Sequence, residues 1–159
     1  MLLLLASACS GGDESATETV TRTTTVTVTT TTTGPATTIP PRLPAPLPAE
    51  GTLPVHGFNA YMESIDEPWE RDLAGVMDAF VEAGAGDSSS RSFQATSSGD
   101  SATATLTLEG LMDDSVRAQR YELDLSRRDD GTWKVESASW SQRCHEGRGH
   151  QDFSPEPCV

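Results

Sequence analysis

Aromatic residues are scarce, 6% of the 159-residue chain, and none occurs before Phe58. A segment without large side chains cannot bury enough apolar surface to offset its ordering entropy, so the first third is excluded from any core. Lysine is nearly missing: Lys134 stands beside ten arginines. This dominance of arginine reads as a coding bias and not as an electrostatic adaptation. The 11 basic side chains face 24 acidic ones, for a formal charge of −13. A nucleic-acid binder needs Lys and Arg to displace counterions from phosphates, and a polybasic grip on anionic lipid needs them as well. The charge excludes both classes. No apolar run reaches the roughly 20 residues that a membrane-spanning helix needs. Cysteine occurs three times, without a Cys-x-x-Cys pair.

What is present begins with Met1-Leu2-Leu3-Leu4-Leu5-Ala6-Ser7-Ala8-Cys9-Ser10-Gly11-Gly12-Asp13. This resembles a bacterial lipoprotein signal peptide with Ala6-Ser7-Ala8-Cys9 as the lipobox. The resemblance implies that residues 1–8 are removed and that the Cys9 thiol carries a diacylglyceryl group. Two features depart from the pattern. Ala6 stands where Leu is usual, with Leu5 one place earlier, and the first basic residue is Arg22, so the charged leader is missing. A translation start upstream of Met1 reconciles the second. The alternatives are an ordinary secretory peptide cut after Ala8 and an apolar terminus without meaning. The expected localisation is the outer face of the cell membrane, held by lipid.

Residues 17–38 hold 14 Thr in 22 positions, and residues 35–54 hold seven of the ten prolines. Val20, Val26 and Val28 alternate with Thr as in a strand, but the tract offers nothing large to bury and no turn partner. Residues 9–53 are therefore expected to be the lipidated cysteine followed by a disordered stalk, the Pro-rich part leaning to polyproline II. Dense Thr beside Pro also fits O-glycosylation, with an unmodified spacer as the alternative.

Residues 54–159 are expected to form the folded domain. Pro68 suits a first helical turn, Glu67, Glu70 and Asp72 complement its dipole, and Trp69, Leu73, Val76, Met77, Phe80 and Val81 recur on one face. That spacing predicts one helix over about 67–83, stopped by Gly84 and Gly86. The period then changes to two. Phe93–Thr96, Ala102–Leu108, Val116–Ser126 and Thr132–Gln142 alternate as strands. They are separated by Ser98-Gly99-Asp100-Ser101, by Gly110 to Ser115, and by a hairpin at Arg127-Arg128-Asp129-Asp130-Gly131. Trp133 and Val135 fall on one parity and Ala138 and Trp140 on the other, which calls for a bulge near Ser137.

The fold class that follows is α+β: one N-terminal helix packed on a four-stranded antiparallel meander, with the other sheet face polar. The shape is similar to cystatin-like and NTF2-like domains. The segments Phe58-Asn59-Ala60-Tyr61, Asp66-Glu67-Pro68-Trp69 and Gly147-Arg148-Gly149-His150-Gln151-Asp152-Phe153-Ser154-Pro155 also resemble a group of small actinobacterial lipoproteins. These resemblances imply location and form, not chemistry.

Cys144 and Cys158 bracket a Gly- and Pro-rich tail, which in an exported chain reads as a disulfide. Cys144, His145, His150 and Cys158 are an alternative zinc set, but adjacent Cys144 and His145 are badly placed for one ion and a bridge would consume both thiolates. No metal or cofactor is expected. His56, His145 and His150 lie in loop-like segments, and a His150–Asp152 pair reads as a surface contact. Gly147-Arg148-Gly149-His150 as an anion cradle ranks below a plain disulfide loop. Glu122 and Asp124 belong to the polar sheet face. Asp113-Asp114 and Asp129-Asp130 read as turns, without the spaced oxygens of a calcium loop. Ser88-Ser89-Ser90 lacks a nearby base, and no catalytic residue is assigned. The sequence thus points to a lipid-anchored, non-enzymatic envelope protein whose domain binds a protein, a glycan or a small apolar ligand. The alternatives are an NTF2-like hydrolase or isomerase with a sheet-face pocket, and a structural spacer.

Overall fold

The computed structural model describes residues 40–81 and 87–159, all within one compact unit. Residues 1–8, Cys9 and the Thr-rich tract lie outside the described residues. Helix α1 spans His56–Met62 and helix α2 Leu73–Val81, with a 3-10 turn at Pro68–Arg71 between them. Strands β1 (Ser88–Ser98), β2 (Ser101–Leu111), β3 (Val116–Arg127) and β4 (Trp133–Cys144) form one antiparallel sheet in the order β1-β2-β3-β4. The meander agrees with the alternation in the sequence.

One sheet face carries the core. Leu106, Tyr121 and Trp140 lie opposite one another across β2, β3 and β4, as do Ala104, Leu123 and Ala138. All six are buried. Such cross-strand neighbours on one face are what period-two alternation produces. Asp124 pairs with Ser137 but Leu125 with Val135, so Glu136 is the extra residue of a bulge. The bulge moves the inward parity of β4 from Trp133 and Val135 to Ala138 and Trp140. Burial pushes the Tyr121 hydroxyl up to about 12, and that hydroxyl donates to Gln119 Oε1 at 3.0 Å.

The helical layer differs from the single expected helix over 67–83. The chain is extended at Asp72 (φ −114°, ψ 126°), which separates the 3-10 turn from α2. Glu67 N–H donates to Glu70 Oε2 at 2.7 Å, closing the first turn on itself. Asp72 then starts α2 afresh, its Oδ2 accepting from Gly75 N–H at 2.9 Å. A Cβ at Gly75 would lie 2.7 Å from the Trp69 Cβ, so the turn packs this closely only against glycine. Helix α1 has seven residues, including Gly57 and Asn59, too short to persist by propensity alone. Phe58 and Met62 hold it by burial, and Phe58 meets Phe80 edge-on at 5.0 Å.

Residues 40–53, expected as the end of a free stalk, lie on the domain instead. Leu43 and Leu53 are buried in the core, Leu47 packs against it, and Trp140 Nε1 donates to Pro48 O at 2.8 Å. The prolines that suggest a stalk also lack N–H groups, so this stretch has few donors to satisfy when it is covered. Its leucines then contribute roughly 1.5–3 kcal/mol each where fully buried.

Asn59 joins the two layers. Its Nδ2 donates to Val135 O at 2.7 Å, and its Oδ1 accepts from Val135 N–H at 3.1 Å, both buried. Replacing Asn59 by Ala orphans a buried donor and a buried acceptor, each worth about 1–3 kcal/mol. Urea unfolding of Asn59→Ala is expected to show a loss of about 3 kcal/mol. Glu63→Ala, which breaks an exposed pair with Arg128, is expected to cost less than about 0.5 kcal/mol.

Candidate functional site

The sheet face away from the helices is a lattice of polar side chains. Register places Ser92, Thr107, Arg120 and Ser141 in one cross-strand row, and Gln94, Thr105, Glu122 and Ser139 in the next. Thr96, Thr103, Asp124 and Ser137 form a third, knitted by a 2.8 Å contact between the two threonine hydroxyls and a 2.7 Å bond from Ser137 Oγ to Asp124 Oδ2. Each position is the outward partner of the alternation that fills the core, so the same period specifies both faces. Glu122 and Asp124 stand here, as the sequence parity expects. Ser92, Gln94, Thr105, Thr107, Arg120 and Glu122 line an open depression of about 290 Å³.

The C-terminal tail reaches one of these lining residues, Arg120. Ser154 exchanges backbone hydrogen bonds with Gln142 at 2.8 and 2.9 Å, carrying Phe153 around the edge of β4 onto the polar face. The Phe153 centroid lies 3.9 Å from Arg120 Cζ and 4.9 Å from Arg143 Cζ. Stacking of this kind contributes about 0.5–1 kcal/mol where exposed and more where water is excluded. Arg143 is neutralised by Glu109 at 2.5 Å. Arg120 pairs with no carboxylate among the described residues. The Nε atoms of both arginines are buried without a hydrogen-bond acceptor. An unmet buried donor costs about 1–3 kcal/mol, more on a charged group. Sequence reasoning did not single out Arg120. Its signal was available only in part: the parity of β3 shows that it faces outward with Glu122, but not that Phe153 arrives above it.

The tail is anchored by Cys144 and Cys158, joined at 2.08 Å with Cα atoms 5.5 Å apart. Three of the four residues of the alternative zinc set, Cys144, His150 and Cys158, converge to within 4.8 Å, and His145 is not among them. The bridge takes both sulfurs, and the His150 ring nitrogens face the carbonyl oxygens of Asp152 (2.8 Å) and Glu156 (2.9 Å). The cluster is therefore built as a bridge, not as an open ligand set. His150 meets the backbone of Asp152, not its carboxylate, so the suggested side-chain pair is not formed. The loop of Gly147 to His150 has spent backbone groups internally: Arg148 N–H donates to His145 O at 3.0 Å. A Cβ at Gly149 would lie 2.8 Å from Cys144 Sγ, which explains glycine there. His56 stands at the exposed start of α1, away from the polar lattice.

The acidic turns are structural. Asp113 Oδ1 accepts from the N–H groups of Ser115 and Val116, and Asp130 Oδ1 from the N–H and hydroxyl of Thr132. These bonds hold both carboxyls below their usual range. Comparison with models of known protein families, with characterised proteins and with solved structures finds no match for the chain.

Two acceptor carbonyls around one imidazole are satisfied together only by the doubly protonated ring, and these bonds raise the His150 pKa above 6.5. The contribution of His150 is therefore full below its unfolded value and is lost as pH rises through the raised folded value. Ring titration by NMR is expected to give a midpoint above 6.5, with faster amide exchange in residues 145–159 above it. The thiol pair closes a 15-residue loop, worth roughly 3 kcal/mol in the chain-entropy account. Cys144→Ser with Cys158→Ser is expected to lose about that much, and intact mass of the native domain to be two hydrogens below the dithiol.

Proposed function

We propose that the protein is a lipid-anchored cell-envelope protein, attached through Cys9, that displays a small binding domain and performs no catalysis. The observation that carries the binding reading is the contrast between the two sheet faces. The helix-side face is filled by Leu106, Tyr121, Leu123, Val135 and their neighbours. The other face keeps rows of hydroxyl, amide, carboxylate and guanidinium groups open around a depression. A surface of this kind offers hydrogen bonds to a ligand without a water-excluded chamber in which acid–base groups would be retuned. Its lining contains no histidine, and the one histidine ring with both nitrogens engaged, His150, is committed to carbonyls in the tail.

The anchor rests on the Ala6-Ser7-Ala8-Cys9 sequence. Among the described residues no helix is long and apolar enough to cross a membrane, which leaves lipid as the attachment this reading uses. The Thr-rich tract then serves as a spacer between membrane and domain, and the cystatin- and NTF2-like likeness belongs to the same reading.

In cell fractionation, Cys9→Ser is expected to move the protein from the membrane to the soluble fraction; unchanged partitioning overturns the anchor. A strain whose anchored chain ends at residue 39 is expected to show the phenotype of a full deletion. Wild-type behaviour of that strain reassigns the domain to a spacer role.

A further inference from the structure

The open sheet face holds a cation without a counterion. Among the described residues Arg71, Arg91, Arg128, Lys134 and Arg143 each hold an Asp or Glu carboxylate, whereas Arg42, Arg117, Arg120, Arg127 and Arg148 do not, and of these Arg120 is the one that lines the depression of the open face. The chain has 24 acidic residues, so acids are not in short supply. Glu122 shares the Arg120 face of β3, yet it remains exposed and forms no ion pair with it. Two residues along a strand advance roughly 6.6 Å, so the two charges stand one row apart. Phe153 packs on the Arg120 guanidinium at 3.9 Å and limits its freedom before any ligand arrives. A planar cation fixed in this way presents paired N–H donors to a carboxylate with little ordering cost.

The groups around it narrow the ligand. Glu122 only accepts, and it repels a second negative charge at its own row. Thr105, Thr107 and Ser92 both donate and accept, and Gln94 adds an amide. The complement is a molecule with one carboxylate and, one row away, neutral hydroxyl groups. We propose that this depression binds a sugar acid, its carboxylate on Arg120 and its ring hydroxyls on Glu122, Thr105 and Gln94. The assignment rests on the reading of the domain as a binding module and names the ligand class. At about 290 Å³ the depression lies at the lower end of the range for ligand sites, which suits a single sugar unit.

The test is NMR titration of the ¹⁵N-labelled full chain with glucuronate, glucose and acetate. Glucuronate is expected to shift the amides of residues 92, 105, 107, 120 and 122 with Kd about 1 mM, and glucose and acetate to bind at least about tenfold more weakly. Arg120→Lys keeps the charge but loses the paired donors, and is expected to weaken glucuronate about tenfold or more. Glu122→Gln is expected to weaken glucuronate while strengthening acetate. Because shift mapping uses the unaltered chain, a variant that fails to fold does not decide the result. Absence of shifts at these residues overturns the proposal, as does acetate binding as tightly as glucuronate, which would make this a general anion site. Unaltered glucuronate affinity in a folded Arg120→Lys overturns it too. Binding of another ligand elsewhere on the domain would sink this assignment while leaving the binding-module reading intact.

Discussion

Strand β4 closes one side of the sheet, and its outer row of N–H and C=O groups is met by chain that belongs to no strand. The Asn59 side chain takes both groups of Val135. Leu53 N–H donates to Ala138 O at 2.9 Å, and Trp140 N–H donates to Gly51 O at 2.8 Å. Gln142 exchanges bonds with Ser154, and Cys144 N–H donates to His150 O at 3.1 Å. Buried backbone groups must be paired, and an edge strand left bare invites pairing with another chain. Helix α1, the Pro-rich segment and the C-terminal tail are all recruited to this one task.

The same constraint positions the candidate site. The tail is held against β4 by the disulfide and the Gln142–Ser154 pair, and Gln142 Nε2 adds a 2.7 Å bond to Glu156 O. Held there, the tail delivers Phe153 to the opposite face, where it stacks on Arg120 and Arg143. A tail placed to seal an edge thus stacks an aromatic ring on an arginine that lines the polar depression. The other edge is treated differently. All of β1 except Ser88 is exposed, including Phe93, and its outer side has no strand partner among the described residues.

Where a residue's role follows from its neighbours in sequence, it was legible. The alternation Tyr121, Leu123, Leu125 against Glu122 and Asp124 assigns both faces of β3. The parity conflict between Val135 and Ala138 locates the bulge to within a residue. Cys144 and Cys158 pair as their tail context implies. The helical region was less legible. The periodicity of Trp69 to Val81 is genuine, but Glu70 folds back on Glu67 and Asp72 caps anew, so one stripe is shared by two short elements. Helix α1 gave little periodic signal because its residues are helical through packing, not through pattern. The leucines at 43, 47 and 53 were hidden by the prolines around them, whose missing donors suit disorder and coverage equally.

By itself, the sequence determined quantities that depend on local chemistry: the net charge, the lack of aromatic residues before Phe58, the strand period with its two faces, and the hairpin turns. Those depend on side-chain size and on steps of two to four residues. Only the tertiary structure decided that residues 40–53 belong to the folded body, that Asn59 serves Val135 across 76 positions, and that Phe153 lies over Arg120. Each of these depends on which unpaired backbone groups are left at an edge once the strands have assembled, and that is a property of the assembled sheet rather than of any stretch of chain.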